Sequence, residues 1–383
     1  MKLGVVTTSY PRWPGDLAGS FVAGHVAAMR ALGHDIEIIA AGDVDDPRQP
    51  AARRAHDSAE HVTRIASPLF YRGGAPEALE RSARTLDSLV FTARLAATVA
   101  VRSARWDAMV AHWLAPSALA CLPSRLPLLA IAHGGDVHLL RRTRLLSPVL
   151  AGLRARSARL AFSSHELREL ARGAAPSRWL DESIVQPMGV DAARFAAVRT
   201  ARWLEPASSP ARPHRVLVAA RLVPVKGVDV AITALAYVRS RVELVVAGDG
   251  PLRDQLAAMA PANVTFLGHV DDIDPLLRDA SLVVVPSRVL ANGRSEGTPV
   301  IALEAIAAGV PVIGSAVGGL SDLAITTVSP DDPVSLATAI DHTLTRLAER
   351  RPMEPIVATS ANLDWGQVAQ RLLDHARFVR RAA

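Results

Sequence analysis

Apolar residues along this chain fall into short β-branched runs that alternate with longer Ala/Leu-rich stretches of helical spacing. KLGVVTTSY (2–10) is such a run, and it ends in a Pro/Gly loop, PRWPGDLAGS. FVAGHVAAMRALG follows with a helical pattern and stops at Gly33, after which 34–41 predicts a second strand. Strand, loop, helix and strand in that order open a doubly wound α/β sheet. Residues 76–104 predict a long helix, and DAMVAHW (107–113), LPLLAIAHGGD (126–136), LAFSS (160–164) and SIVQPMG (183–189) predict the remaining strands of this half. The stretch 192–213, with its ASSPARPH, reads as an irregular linker. A second α/β series begins at RVLVAARL (215–222) and continues through VELVVAG (242–248), NVTFLG (263–268), SLVVVPS (281–287) and VPVIGS (310–315). The tail from Trp365, WGQVAQRLLDHARFVRR, predicts a final helix. The expected organisation is therefore two Rossmann-like α/β domains, 1–190 and 191–364, followed by a helix in 365–383.

Composition narrows the picture. A chain of 383 residues is long for a single core. Half of its residues are apolar and only 4% aromatic, which suits Ala/Val/Leu helices around buried parallel strands. No apolar run reaches the roughly 20 residues a membrane-spanning helix needs. MKLGVVTTSYPRW reads as a strand rather than a signal peptide. The single cysteine, Cys121, excludes an internal disulfide and offers no metal cluster. A cytoplasmic protein is expected. Lysine occurs only at Lys2 and Lys226, against 41 arginines (43 basic residues less 2). Arginine abundance is thus a compositional bias and no signal for nucleic acid. Residues 1–190 hold 23 basic and 17 acidic side chains and 191–383 hold 20 of each, so the whole net charge of +6 lies in the first half. Such asymmetry favours an anionic lipid surface or an anionic acceptor, and is equally the mark of a solvated basic face.

The richest chemistry lies in SEGTPVIALEAIAAGVPVIGSAVGG (295–319). Two glutamates, Glu296 and Glu304, stand eight apart. Between them Gly297, Thr298 and Pro299 open a short helix, with Pro299 expected in its first turn. Gly309 is expected as its left-handed cap, and Val310-Pro311 ends it. Glu296 then precedes the helix and Glu304 lies about a turn and a half inside it. The N–H groups of the first turn favour an anion such as a diphosphate. Two carboxylates beside an anion site suit a ligand with a charged centre and hydroxyls on both sides, the shape of a nucleotide diphosphate sugar.

The embedding EGTP…EA…G-PVIGS-VGG resembles the Glu-x7-Glu element of retaining glycosyltransferases with the GT-B fold, most closely the bacterial family 4 or group 1 enzymes. The likeness extends over roughly residues 2 to 375. TTSYPRWPGDLAGSFV is similar to the family's first-strand segment, where Gly15 and Gly19 allow a close backbone approach and Gly19 is the implied donor contact. The HG-x-D turn of His133, Gly134 and Asp136 implies that His133 lies near the sugar's reacting carbon and 6-hydroxyl. His112, His138 and His165 are weaker candidates, and none makes a metal-ligand spacing. In AARLVPVKGVD, Arg221 and Lys226 match the family's R-x4-KG signature for the diphosphate. A compact ammonium in an arginine-rich chain suits a crowded phosphate site. VVAGDGPLRDQL and VTFLGHVDD match the run toward the base, with Gly250, His269 and Val270 as the implied contacts. GDG is no Rossmann dinucleotide fingerprint, so a nicotinamide enzyme is not supported.

The resemblance implies two Rossmann-like domains facing a central cleft, the C-terminal helix crossing back to the first, and transfer of a sugar from a UDP- or GDP-linked donor to a carbohydrate or lipid-linked acceptor with retention of configuration, in glycan, exopolysaccharide or glycolipid synthesis. His133, Arg221, Lys226 and Glu296 would be catalytic, with Glu304 accepting both ribose hydroxyls. Neither an obligatory metal nor any other cofactor is expected. A sugar-nucleotide epimerase of the same layout and a non-catalytic nucleotide-sugar binder remain open. Peripheral contact with the inner face of an anionic membrane is a further expectation.

Overall fold

The computed structural model describes residues 1–16, 18–42, 50–67, 85–204, 212–349 and 363–378. The chain divides into two compact units, Met1–Gly189 with Trp365–Ala383, and Val190–Asp364.

In the first unit seven strands form one fully parallel sheet: β1 (Lys2–Thr7), β2 (Asp35–Gly42), β3 (Val62–Ala66), β4 (Ala108–His112), β5 (Leu128–Ala132), β6 (Arg159–Phe162) and β7 (Ile184–Val185). Their order is β3-β2-β1-β4-β5-β6-β7. The central strands are buried along nearly their whole length, because helices cover both faces and no face meets water. One face packs Phe91, Leu95, Val99 and Trp106. The other packs Val22, Val26 and Met29 of the Ser20–Ala31 helix together with Val368, Ala369 and Leu372 of the terminal Trp365–Ala376 helix. β3 and the Pro50–Ala59 helix have no counterpart in the sequence reading. The predicted helix at 76–104 is present as Thr85–Arg102, its earlier part lying outside the described residues.

The second unit repeats the plan with β8 (His214–Ala219), β9 (Val242–Ala247), β10 (Val264–Gly268), β11 (Leu282–Val285), β12 (Val312–Ser315) and β13 (Thr326–Val328), in the order β10-β9-β8-β11-β12-β13. In both sheets the order reverses beside the first strand, between β1 and β4 and between β8 and β11. Loops leaving the carboxyl ends at such a reversal diverge to opposite faces and open a crevice.

The expected linker is a correction. Residues Ala192–Leu204 form a helix that packs Phe195 and Val198 into the core beside Leu277 and Ala302. Arg202 donates to the carbonyls of Leu277 (2.6 Å), Arg278 (2.8 Å) and Ala280 (2.6 Å), satisfying the C-terminal end of the Asp274–Asp279 helix. Arg202 thus caps a neighbouring helix from within the expected linker. The ASSPARPH segment lies largely outside the described residues. Among the described residues no helix is long and apolar enough to cross a membrane.

Candidate functional site

β8 ends at Ala219, and the chain then winds into a short 3-10 turn, Pro224–Lys226. Lys226 Nζ donates to Glu296 Oε2 at 2.6 Å. Glu296 comes from the loop after β11, so the pair bridges the two loops at the point of sheet reversal. The side chains are 23% and 11% exposed, which leaves the ammonium reachable while shielding the carboxylate. Gly227 makes this crossing possible. Its φ is +60°, and a Cβ there would stand 2.0 Å from the carbonyl oxygen of Pro286 at the end of β11. Arg288, from the same β11 loop, is held by Asp229 and Asp331, each at 2.7 Å. Arg221 is exposed in the loop after β8.

Residues 296–299 are clamped from behind by the glycine pair after β12. Gly319 N donates to Gly297 O at 2.9 Å. A Cβ on Gly318 would fall 2.1 Å from Glu296 O, and one on Gly319 would fall 2.0 Å from Thr298 Oγ1. Pro299 (φ −63°, ψ 127°) is the N-cap of the Val300–Ala307 helix and not its first helical residue, a shift of one position from expectation. Its extended ψ keeps it just outside. Gly309 adopts the expected left-handed conformation at φ +70°, and its N–H bonds to Ile306 O.

Glu304 lies on this helix, half-buried, with no hydrogen bond to its carboxylate from the described residues. Burial raises its pKa to about 7, Arg194 opposing and Asp274 adding to the rise. Arg194 bonds Asp272 at 3.0 Å and Asp274 at 2.8 Å, and its guanidinium lies 5.1 Å from the Phe195 ring centre. Sequence reasoning missed Arg194 because it treated 192–213 as irregular. The helical spacing of Phe195 and Val198 with arginines at 194, 199 and 202 was the available signal.

The GDG loop after β9 packs on the loop that carries Arg221. A Cβ on Gly248 (φ +130°) would meet Ala220 O at 1.9 Å, and one on Gly250 would meet Leu222 O at 2.6 Å. These glycines therefore admit the chain's own backbone on their Cβ side. His269 is exposed beside Asp271 at 3.2 Å, while Val270 packs against the core.

In the first unit, His133 follows β5 and His112 ends β4. His112 Nδ1 lies 3.0 Å from His133 Nε2, and His25 Nδ1, from the Ser20–Ala31 helix, lies 3.1 Å from His112 Nε2. Phe21 and Trp113 pack against His133 with ring centres 5.0 Å away. Burial lowers the pKa of His25 to about 4 and, helped by His25, that of His133 to about 3; burial likewise lowers His112, with His133 and His25 adding to the effect. All three rings are neutral near pH 7. Asp136 is buried, and burial pushes its carboxyl up while N–H groups of Leu114 (2.7 Å), Gly134 (3.0 Å) and His133 (3.2 Å) hold it down. It is the clasp of the His133 turn. Gly19 (φ +74°) precedes the Ser20–Ala31 helix, and a Cβ on it would meet Ser9 O at 2.4 Å. His25 was missed altogether. It stood in the sequence as a polar residue on the apolar stripe of Val22, Val26 and Met29, which is where a hidden partner is found.

The structure thus brings together Lys226, Glu296, Gly297, Thr298 and Pro299, with Glu304 on the same helix. Arg221 and Gly250 lie in neighbouring loops of that unit, His269 and Val270 follow β10 at the sheet's edge, and Gly19 and His133 belong to the other unit. Among the described residues no group of three His, Cys, Asp or Glu side chains is placed to hold a metal ion.

Residues 213–346 match the family model of glycosyl transferases group 1. An uncharacterized glycosyltransferase of Methanocaldococcus jannaschii is 35% identical over 143 residues, which are 34% of this chain and 35% of that protein. The GDP-mannose-dependent alpha-(1-6)-phosphatidylinositol monomannoside mannosyltransferase of Mycobacterium tuberculosis is 37% identical over 145 residues, 35% of this chain and 38% of that protein. The chain thus spans little more than a third of the length of these two relatives. Among solved structures, Anabaena HepE in complex with UDP superposes with a TM-score of 0.69 at 18% identity, covering 98% of this chain and 99% of that one. That likeness carries the fold, two parallel α/β units of GT-B type, while the family model and the relatives fall on the sequence itself. Residues 213–346 thus carry the sequence pattern of glycosyl transferases group 1, and the chain has a GT-B fold.

Proposed function

We propose that the protein transfers a sugar from a nucleotide diphosphate donor to an acceptor hydroxyl with retention of anomeric configuration. The 2.6 Å contact between Lys226 and Glu296 at the β8/β11 reversal carries this reading. It sets a cation and a carboxylate side by side at the start of the Val300–Ala307 helix, where a diphosphate is favoured by the helix end and by Lys226. Arg221 adds a second cation. As the donor's glycosidic bond breaks, negative charge builds on the diphosphate, and preorganised cations stabilise that charge more than they stabilise the bound donor. Glu296 holds donor hydroxyls, the backbone of 297–299 lies along the phosphates, and Glu304 accepts from the ribose hydroxyls. Gly250, His269 and Val270 are assigned to the nucleoside end. His133 is assigned as the first unit's contribution to the reaction, and Gly19 is assigned to donor contact. The leaving diphosphate itself takes the acceptor's proton, so no metal and no other cofactor is needed.

The relatives' names point to both nucleotides, GDP-mannose for the mycobacterial enzyme and UDP for HepE. Calorimetry across UDP- and GDP-sugars, followed by transfer to a panel of saccharide and lipid-linked acceptors with product anomers assigned by NMR, tests the reading. Tight binding of one donor class and a product of unchanged anomeric configuration is expected. Inverted product overturns retention, and epimerisation of the donor with no acceptor requirement overturns transfer. A lipid-linked acceptor would place Arg141, Arg142 and Arg144, all exposed at the end of the Gly135–Arg142 helix and just beyond it, against an anionic membrane. Salt-sensitive co-sedimentation with anionic but not neutral vesicles is the corresponding expectation.

A further inference from the structure

We propose that the sealed far end of the His25–His112–His133 row fixes the tautomer of His133, so that His133 presents an Nδ1–H donor outward. The geometry of the three rings carries the inference. His25 Nδ1 lies 3.1 Å from His112 Nε2, and His112 Nδ1 lies 3.0 Å from His133 Nε2. The His112 and His133 rings are nearly parallel at 7°, so their in-plane lone pair and N–H can meet. A neutral imidazole has one donor and one acceptor. His112, in the middle, must therefore donate one bond and accept the other, and both bonds run in the same direction. Only two states of the whole chain exist.

The far end chooses between them. His25 Nε2 is sealed from solvent and has no hydrogen-bond partner. If the bonds ran toward His25, this atom would carry a buried N–H with nothing to accept it. If they run toward His133, it carries only a bare lone pair. Buried donors without partners are the rarer and costlier defect. Trp365 cannot rescue the donor, because its indole lies nearly parallel to the His25 ring (13°, centres 5.9 Å apart) and the in-plane N–H would not point at its face. At the other end His133 is only half-buried, so water or a ligand satisfies its Nδ1 in either state. The direction is His25 to His112 to His133. His133 Nδ1 is then a donor suited to a substrate oxygen, and Trp365, the first residue of the returning chain, closes the dry end.

The tautomer stands independently of the proposed transfer, while its consequence for turnover rests on that reading. Long-range 1H–15N correlation spectra of protein labelled in its histidine rings report each tautomer, with His133 assigned by comparison with His133→Asn. In the parent protein His133 should be protonated at Nδ1, and protonation at Nε2 overturns the proposal. His25→Leu leaves His112 Nε2 as the sealed atom without a partner, so His133 should stay Nδ1–H, whereas Trp365→Ala, which opens the sealed end to water, should admit the Nε2–H form. With donor and acceptor present, Trp365→Ala should lower kcat by up to about 10²-fold with the donor KM unchanged, in proportion to the switched fraction, the range for a misplaced proton donor. A His133 switched to Nε2–H in His25→Leu also overturns the proposal. A switched tautomer with unchanged turnover leaves the positioning intact and removes His133 from catalysis.

Discussion

Glu304→Gln should make this protein more stable, and only above mildly acidic pH. The folded carboxyl titrates at about 7 against a reference of 4.5, because the helix buries it without giving it a hydrogen-bond donor. The folded state therefore binds a proton that the unfolded chain releases, and the stability tied to that proton is fully present below pH 4.5 and is lost as pH rises to 7. A shift of that size corresponds to about 3 kcal/mol at roughly 1.4 kcal/mol per unit. Arg194 moderates the loss and Asp274 deepens it. Glutamine has the shape of the protonated acid and no charge to desolvate. The variant should match the parent at pH 4 and exceed it by about 2–3 kcal/mol at pH 8. Urea titrations read by hydrogen exchange in the Val300–Ala307 helix confine the measurement to the second unit. Midpoints that stay equal from pH 5 to pH 8 would show that the carboxylate is solvated and that burial does not govern it. The same carboxylate should bind nucleotide through hydroxyl donors that replace the missing solvation. Binding of an intact nucleotide sugar at pH 6 should then release nearly one proton, read from calorimetry in buffers of different ionisation enthalpy. The stabilised glutamine variant should lose affinity at pH 8.

Lys226→Ala should lower kcat by about 10² or more while donor affinity falls less, with Lys226→Arg rescuing only in part; steady-state kinetics with a raised KM and parental kcat would show uniform binding instead. Gly318→Ala forces a side chain into a left-handed backbone (φ +56°) and against Glu296 O, so unfolding should show a loss of about 2 kcal/mol or more together with weakened donor binding. Activity should survive excess chelator, and its loss with recovery on adding Mg²⁺ or Mn²⁺ would put a metal on the diphosphate.

The fold was legible because both units use buried parallel strands, whose β-branched runs stand out, and the central strands lie close to their predicted places. The misses share a cause. β3 and β13 are short edge strands with little apolar content, as VTRIA and TTV show. The Ala192–Leu204 helix borders a Pro/Ser-rich stretch that lent it a linker's look, although Phe195 and Val198 bury as a helix should. The site divides similarly. Lys226 and Glu296, which the structure places in contact, were both singled out in the sequence because local glycines and prolines shape the loops that present them. Arg194 and His25 were not, since each acts on a residue far away in sequence, 110 positions in the one case and 87 in the other. Spacing along a chain reports what a turn or helix brings together and is silent about what a sheet brings together.

The two sheet reversals share a topology and differ in electrostatics. At β8/β11 the chain gathers an ammonium, a shielded carboxylate and a helix N-terminus, all fixed before any ligand arrives. Around His112 at β1/β4, burial lowers the pKa of three imidazoles below neutrality, and Asp136 is surrounded by N–H groups. Under the proposed transfer, the second unit's ammonium meets the diphosphate and the first unit's neutral rings meet hydroxyls. Neutral donors oriented by burial can select hydroxyls without competing for the diphosphate. This division predicts opposite responses to salt. Raising ionic strength should weaken the contribution of Lys226, seen as a shrinking difference between parent and Lys226→Ala in donor affinity, because the ammonium is partly exposed and its field is screened. The difference between parent and Trp365→Ala in turnover should not change, because it depends on the direction of two buried hydrogen bonds. If both differences shrink together, the first unit's site works through charge, and the neutrality of its histidines is not what makes it function.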